Sequence, residues 1–538
     1  MRHIEVTQAI QCETNMIPLV AGRPAIARVY IAVAGSEAPV PGVTALLYAS
    51  RDGALLPGAP LSPYNPGGQI SAPPAPDREQ AEHTLNFLLP AEWLAAGQIT
   101  LWAEVNPQRT VAEERFDDNR SEEQNLTLHT VPDLRVVLVP IAYQPGGTGP
   151  VYRPTMDASN DYGMGKIESM FPIASIQRQV HSEYLVTSDL SIPENWGTLL
   201  SEVAEMRSRE LPSWSTFVFY YAVVPGFRPR PMDGIGYIGG TLAAVGVESV
   251  YSIAAHEFGH NLGLWHTECF RPAPPHEKGF PRIDGTIGQT AVDLYTREIM
   301  SAKRYDMMSY CYPQWISDYN YMRLFQIMRK KGAVPQIQTA PQDALVLSGR
   351  ISADGQSGLL HYAVPLSVTT ALEQAAAGDY RVELRDSSGA LLLSRSFAPD
   401  QLSHRPNRLS PLTFSVKVPR PDDLARVELW RGGQRLDVLD AAPAPDLAAQ
   451  ATPDPHAPGR LTIAWQATHP QALPVDVSLR YSADGGQNWQ VLALRLPGDS
   501  TTIDTARLPA SPAGLIAVDA DGPTEMASVL LPIGPVGR

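Results

Sequence analysis

Cysteine is scarce: the 538 residues hold three, Cys12, Cys269 and Cys311. That excludes a disulfide scaffold and a four-cysteine zinc site. Charge is thin as well, with Asp, Glu, Lys and Arg together making 18% of the chain. Lys and Arg number 42 against 56 acidic residues, a net charge of −14, and nowhere form a block. A protein that binds nucleic acid electrostatically needs a basic face, so that class is disfavoured. No run of about 18 apolar residues occurs, so no membrane-spanning helix is expected. The opening MRHIEVTQAIQ lacks the apolar core of a signal peptide. Either the chain is cytosolic or its signal has been trimmed.

Proline, in contrast, is abundant at 50 residues, beside 41 glycines. Proline breaks helix interiors, which argues against a helical bundle and for short strands joined by turns. With 44% hydrophobic residues the chain can bury real cores. Its length suggests about three to five domains.

The texture changes along the chain. Residues 1–132 read as an N-terminal β-sandwich of immunoglobulin-like kind, with strand candidates at 28–34, 43–49 and 98–105. The acidic stretch 111–123 (VAEERFDDNRSEE) reads as a solvated turn, with a structural calcium loop as the weaker alternative. The segment VNPQRTVAEERFDDN resembles the end of bacterial adhesion-type immunoglobulin-like domains. Residues 133–332 alternate buried-strand runs at 134–141 and 215–224 with helical stripes at 163–170 and 198–209, an α/β pattern. Residues 333–440 return to β-sandwich texture. The Pro/Ala-rich stretch 441–459 reads as a semi-rigid linker. Residues 460–538 read as a C-terminal sandwich of fibronectin III kind, with one S-x-D-x-G-x-x-W Asp-box, Ser482 to Trp489, as a structural hairpin.

The chemistry sits in SVYSIAAHEFGHNLGLWH, residues 249–266. Val250, Ile253, Ala254 and Phe258 have helical spacing. His256 and His260, four apart, leave one face of that helix and can reach one zinc ion. Glu257 lies about 100° round the helix, where it meets water rather than serving as an equivalent ligand. Gly263 can take positive φ and end the helix, so that His266 swings back as third ligand. Three protein ligands leave a coordination position for water, the mark of a catalytic site.

The full pattern, His256-Glu257-x-x-His260-x-x-Gly263-x-x-His266, resembles the metzincin clan of zinc metallopeptidases. The cysteine placement is more similar to pappalysin-type or related bacterial secreted peptidases. Thr267 stands where astacins carry Glu. The resemblance implies a Met-turn in Tyr305-Asp-Met-Met-Ser-Tyr-Cys311, with Met308 under the metal and Tyr310 as donor to the reaction's oxyanion. It implies that Cys269 and Cys311 converge near one metal and can pair, the alternative being two buried thiols. It further implies that the glycine-rich strand Gly234, Ile235, Gly236, Tyr237, Ile238, Gly239, Gly240 borders the cleft and pairs with an extended substrate. A loop is the other reading of that stretch. Tyr312 to Trp315 would wall a substrate pocket, with Trp315 equally suited to a core. Ser317 should cap a helix running to about residue 330.

The expectation is a multidomain chain with an α/β zinc peptidase domain between immunoglobulin-like sandwiches. It would be secreted or cell-surface, holding one catalytic Zn²⁺ and cleaving extracellular proteins or peptides. Glu257 would act as general base. The alternatives are a mucinase-type peptidase with sugar-binding sandwiches, and a non-catalytic surface adhesion protein with a degenerate zinc domain. Residues 1–132 could also act as a removable pro-segment. A latency role for Cys12 finds no motif around it.

Overall fold

The computed structural model describes residues 3–155, 161–211, 217–226, 229–270, 276–332, 338–370, 378–404, 411–455, 457 and 459–536. Residues 215 and 216 of the expected strand, the expected boundary at 333, and 456 and 458 of the expected linker lie outside them. The fold is mostly β-sheet, arranged as many small sheets. Four α-helices occur among the described residues: α1 (Met164–Met170), α2 (Pro193–Glu210), α3 (Ile253–Asn261) and α4 (Asp318–Gly332).

The chain forms two compact units. One comprises Met1–Leu134, Gly163–Gln177 and Leu264–Val334; the other comprises Arg135–Tyr162, Arg178–Gly263 and Pro335–Arg538. The stretch 133–332 is therefore divided between them.

In the first unit a three-stranded sheet (His3–Thr7, Ile26–Tyr30, Thr84–Leu88) and a five-stranded sheet share one core. Gly97–Val105 shows why: Ile99, Leu101, Ala103 and Val105 alternate inward, the period of two that a half-buried strand requires. Arg23 is buried. Its guanidinium donates to the carbonyls of Gln8, Ser169 and Ile173, fastening the N-terminal segment to the end of α1 and the residues after it. Trp315 is buried too, and its indole N–H donates to Ala9 O at 3.1 Å. It is core rather than pocket wall, while Tyr312 is exposed.

In the second unit Leu134–Tyr143, Val218–Val224 and Ala243–Val247 run parallel, and Gly234–Gly236 closes the edge antiparallel to Ala243–Val247. The central strands are apolar on both faces, as a covered parallel sheet demands. Trp196, Leu199, Leu200, Val203 and Met206 of α2 pack on Val139, Ala222 and Val245. At about 1.5–3 kcal/mol for each fully buried large side chain, this stripe outweighs helix propensity in holding α2.

Residues 338–440 form two antiparallel sheets of three and four strands around one core that includes Leu347, Val382, Phe414 and Leu429. The last part repeats this arrangement, with Ile463, Trp465, Leu479 and Val518 inside. The stretch 441–459, read as a linker from its prolines, instead contains the strand Asp446–Pro453, paired with Arg460–Thr468. The reason is its alternation: Leu447, Ala449 and Ala451 point toward the core. Helix α2 is tied to the final strands by buried ions. Arg495 meets Glu205 at 2.6 Å, and Arg209 bridges Glu205 and Asp521 at 2.7 Å each. Burial alone would push the Glu205 carboxyl up, but the two guanidinium charges hold it down at about 2.

Candidate metal centre

Helix α3 is pinned to the sheet through Phe258. Its ring stacks on Phe219 at 4.5 Å and meets Tyr221 edge-on at 5.6 Å. That contact turns His256 and His260, one turn apart, to the same side. Their Nε2 atoms lie 3.1 Å apart and their ring centroids 4.7 Å apart. The helix ends at Gly263, whose φ of +85° suits glycine and whose N–H donates to His260 O at 2.7 Å. His266 follows. The ligand-capable nitrogens of His256, His260 and His266 all lie within 4.8 Å of one another, and all three residues are buried.

Around His266 the chain is braced by the loop at 305–311. Thr267 N donates to Met308 O at 3.0 Å, and the rings of His266 and Tyr310 stand 4.8 Å apart. Met308 is fully buried, while Tyr310 is half-buried. Cys269 and Cys311 form a disulfide. The loop owes its shape to a residue that the motif reading passed over, Asp306. Its buried carboxylate accepts from Met308 N at 2.8 Å, Ser317 N at 2.9 Å and Asn320 Nδ2 at 2.8 Å. It thus joins the turn to the start of α4, where Ser317 Oγ accepts from Asn320 N. An Asp placed two residues before a turn amide was the available signal.

Glu257 is 3% exposed. Burial pushes its carboxyl up to about 8, and a hydrogen bond from Ser403 works against that rise. Ser403 Oγ donates to Glu257 Oε2 at 2.9 Å. No sequence signal near the motif marks Ser403.

The glycine-rich stretch is a strand only over Gly234–Gly236. Gly239 and Gly240 turn with positive φ. Tyr237 is buried, its hydroxyl within 3.2 Å of Thr413 Oγ1, and Gly239 N donates to His260 O at 2.8 Å. Asn261 Nδ2 donates to the carbonyls of Tyr237 and Ala243, both at 3.0 Å, fastening α3 to the edge. The small residues here serve α3 itself. A Cβ on Gly234 would lie 2.4 Å from Ile253 Cγ1, and one on Gly236 would lie 3.0 Å from Glu257 Oε2. On the neighbouring strand, a Cβ on Gly246 would lie 2.0 Å from the Tyr221 hydroxyl. The outer edge of the strand is taken by residues 401–403: Ile238 N donates to Gln401 O at 2.7 Å, and Ser403 N to Gly236 O at 2.8 Å.

Among the described residues, no helix is long and apolar enough to cross a membrane. In the acidic stretch, Arg115 pairs with Asp117 and Arg120 with Glu123, all of them exposed.

No family model matches the chain, and no curated protein matches it. Among solved structures it is similar to a segment of two fibronectin type III domains from chicken tenascin. That match has 13% identity, covers 37% of this chain and 97% of the segment, and has a TM-score of 0.14. It is also similar to a cytokine receptor complex, at 17% identity, covering 29% of this chain and 88% of that one, with a TM-score of 0.13. An exo-chitosanase of Amycolatopsis orientalis overlaps 98% of this chain and 79% of its own at 9% identity, with a TM-score of 0.14. Scores this low carry no argument about fold or function.

Proposed function

We propose that the chain is a zinc-dependent endopeptidase of metzincin-like type. The observation that carries this reading is the convergence of three buried imidazoles with a buried glutamate, Glu257, beside the first of them. The donor set fits zinc: imidazole nitrogen is a preferred ligand, and three such ligands leave a position open. His256, His260 and His266 would hold the ion. Bound there, zinc would supply a Lewis acid toward a peptide carbonyl and toward water.

Glu257 supplies the proton chemistry. Its carboxylate accepts the proton of the attacking water and then delivers it to the leaving amine. Tyr310, close to His266, offers a phenol to the oxyanion that develops on the carbonyl. Burial of the three histidines and Glu257 keeps the site largely dry, where such donors act most strongly.

The parallel strands with an antiparallel edge, and the paired sheets on either side in sequence, support a metzincin-like domain among immunoglobulin-like sandwiches. The Cys269–Cys311 disulfide supports an extracellular setting. The substrates would be proteins or peptides. The test is to measure bound zinc and profile cleavage of a peptide library with wild type and Glu257→Gln in parallel. Zinc uptake with cleavage only by wild type supports the reading. No zinc uptake, or equal cleavage by both, rejects it.

A further inference from the structure

The edge strand beside Glu257 already has a partner. Residues 400–403 run antiparallel to its C-terminal end and the two residues that follow, 236–238, with Tyr237 opposite Leu402. Two main-chain bonds form the ladder, Ile238 N to Gln401 O and Ser403 N to Gly236 O. The next outward amide, Gly236 N, is capped by Ser403 Oγ at 2.8 Å, and the same hydroxyl donates to Glu257 Oε2. One short segment therefore satisfies the outward groups of Gly236 and Ile238 and covers the proposed base together.

The segment is anchored at both sides. Leu402 is 5% exposed within the core of this unit. Asp400 N donates to Thr413 O at 2.8 Å, on the strand Leu412–Pro419, and Thr241 Oγ1 donates to the Asp400 carboxylate at 3.2 Å. An extended peptide recruited by strand addition needs the same outward N–H and C=O groups. Two chains cannot use one edge at once.

We infer that residues 400–403 are an intrachain latch, a pseudosubstrate strand that occupies the peptide-binding edge and caps Glu257 until it is displaced. The inference rests on the peptidase reading and adds a regulatory state to it. If the latched form makes up nine-tenths or more of the population, apparent affinity for an extended ligand rises about tenfold or more on release.

The experiment uses the full chain as wild type, Leu402→Asp and Ser403→Ala. Leu402→Asp removes the buried anchor. Ser403→Ala removes only the hydroxyl, so it still decides the matter if the first variant fails to fold. Three quantities are read: zinc content, amide hydrogen exchange at Gly236 and Ile238, and the dissociation constant of the hydroxamate of Pro-Leu-Gly. The expected result is equal zinc, faster exchange at both amides, and hydroxamate binding tighter by about tenfold in Leu402→Asp, with a smaller change of the same sign in Ser403→Ala. Zinc-loaded variants that exchange faster yet bind no tighter than wild type overturn the latch and leave the peptidase reading standing. A chain that takes up no zinc in any form removes the peptidase reading and the latch with it.

Discussion

His266 and Tyr310 face each other with ring centroids 4.8 Å apart and planes tilted by 57°. The phenol is thereby held beside the third histidine by a loop that the Cys269–Cys311 bridge closes. If the hydroxyl serves the oxyanion, Tyr310→Phe should lower kcat by about 10- to 100-fold while KM moves little. Steady-state kinetics with one fluorogenic peptide decide it. An unchanged kcat would leave Tyr310 with packing alone.

Glu257 carries no zinc in the proposed scheme, so its loss should separate binding from chemistry. Glu257→Gln should retain zinc and lose about 10²- to 10⁴-fold in kcat/KM. Metal analysis of the same preparation used for kinetics is the check. Full cleavage with the metal retained would remove Glu257 from the reaction.

If the chain cleaves peptides through zinc, metal removal should abolish cleavage without unfolding it. Each sheet pair has its own apolar core, so no metal is needed for folding. Dipicolinate should stop cleavage, zinc should restore it, and the melting profile of the sandwiches should persist. Loss of their transition on chelation would contradict this.

The disulfide spans a sequence separation of 42 residues. Chain-entropy arithmetic for a loop of that length gives about 4 kcal/mol of stabilisation. Cys269→Ser together with Cys311→Ser should therefore lower the melting temperature of the first unit and loosen the turn carrying Met308. Calorimetry of the oxidised parent and the double variant measures the difference.

Asp400 gives the second unit a pH dependence. Burial pushes its carboxyl up to about 7, against the hydrogen bonds from Thr241. Tyr237 faces it, and the cavity of about 160 Å³ that it lines also carries Glu205, Arg350, His361 and Arg495. An unfolded Asp titrates near about 3.9. Between these values the folded chain keeps a proton that the unfolded chain has released. The stabilisation is therefore full at low pH and lost as pH rises through about 7. After correction for intrinsic rates, the Ile238 amide should exchange faster at about pH 8 than at about pH 6, and Asp400→Asn should reduce that difference. A wild-type profile as flat as that of Asp400→Asn would refute it.

The parts legible in the sequence were those whose cause is local. The i, i+4 pair His256 and His260, the glycine at 263 and the alternation of Gly97–Val105 all act over a few residues. The two cysteines were legible because each lies three residues from a motif residue, His266 or Met308. What escaped depended on distant chain. Ser403 reaches Glu257 across 146 positions, and no spacing rule extends so far. The strand Asp446–Pro453 was masked by its prolines, which outweighed a three-residue alternation of Leu447, Ala449 and Ala451. Asp306 looked like an ordinary turn residue because its partners Ser317 and Asn320 lie at the cap and in the first turn of the following helix.

The close packing of α3 on glycine has a consequence for engineering. Gly234 and Gly246 admit no side chain without moving Ile253 or Tyr221, and Gly236 is nearly as tight. A saturation library at these three positions should return almost only the parent residue among active clones. Altered cleavage preference would then have to be selected from residues elsewhere, leaving this stretch an invariant rail.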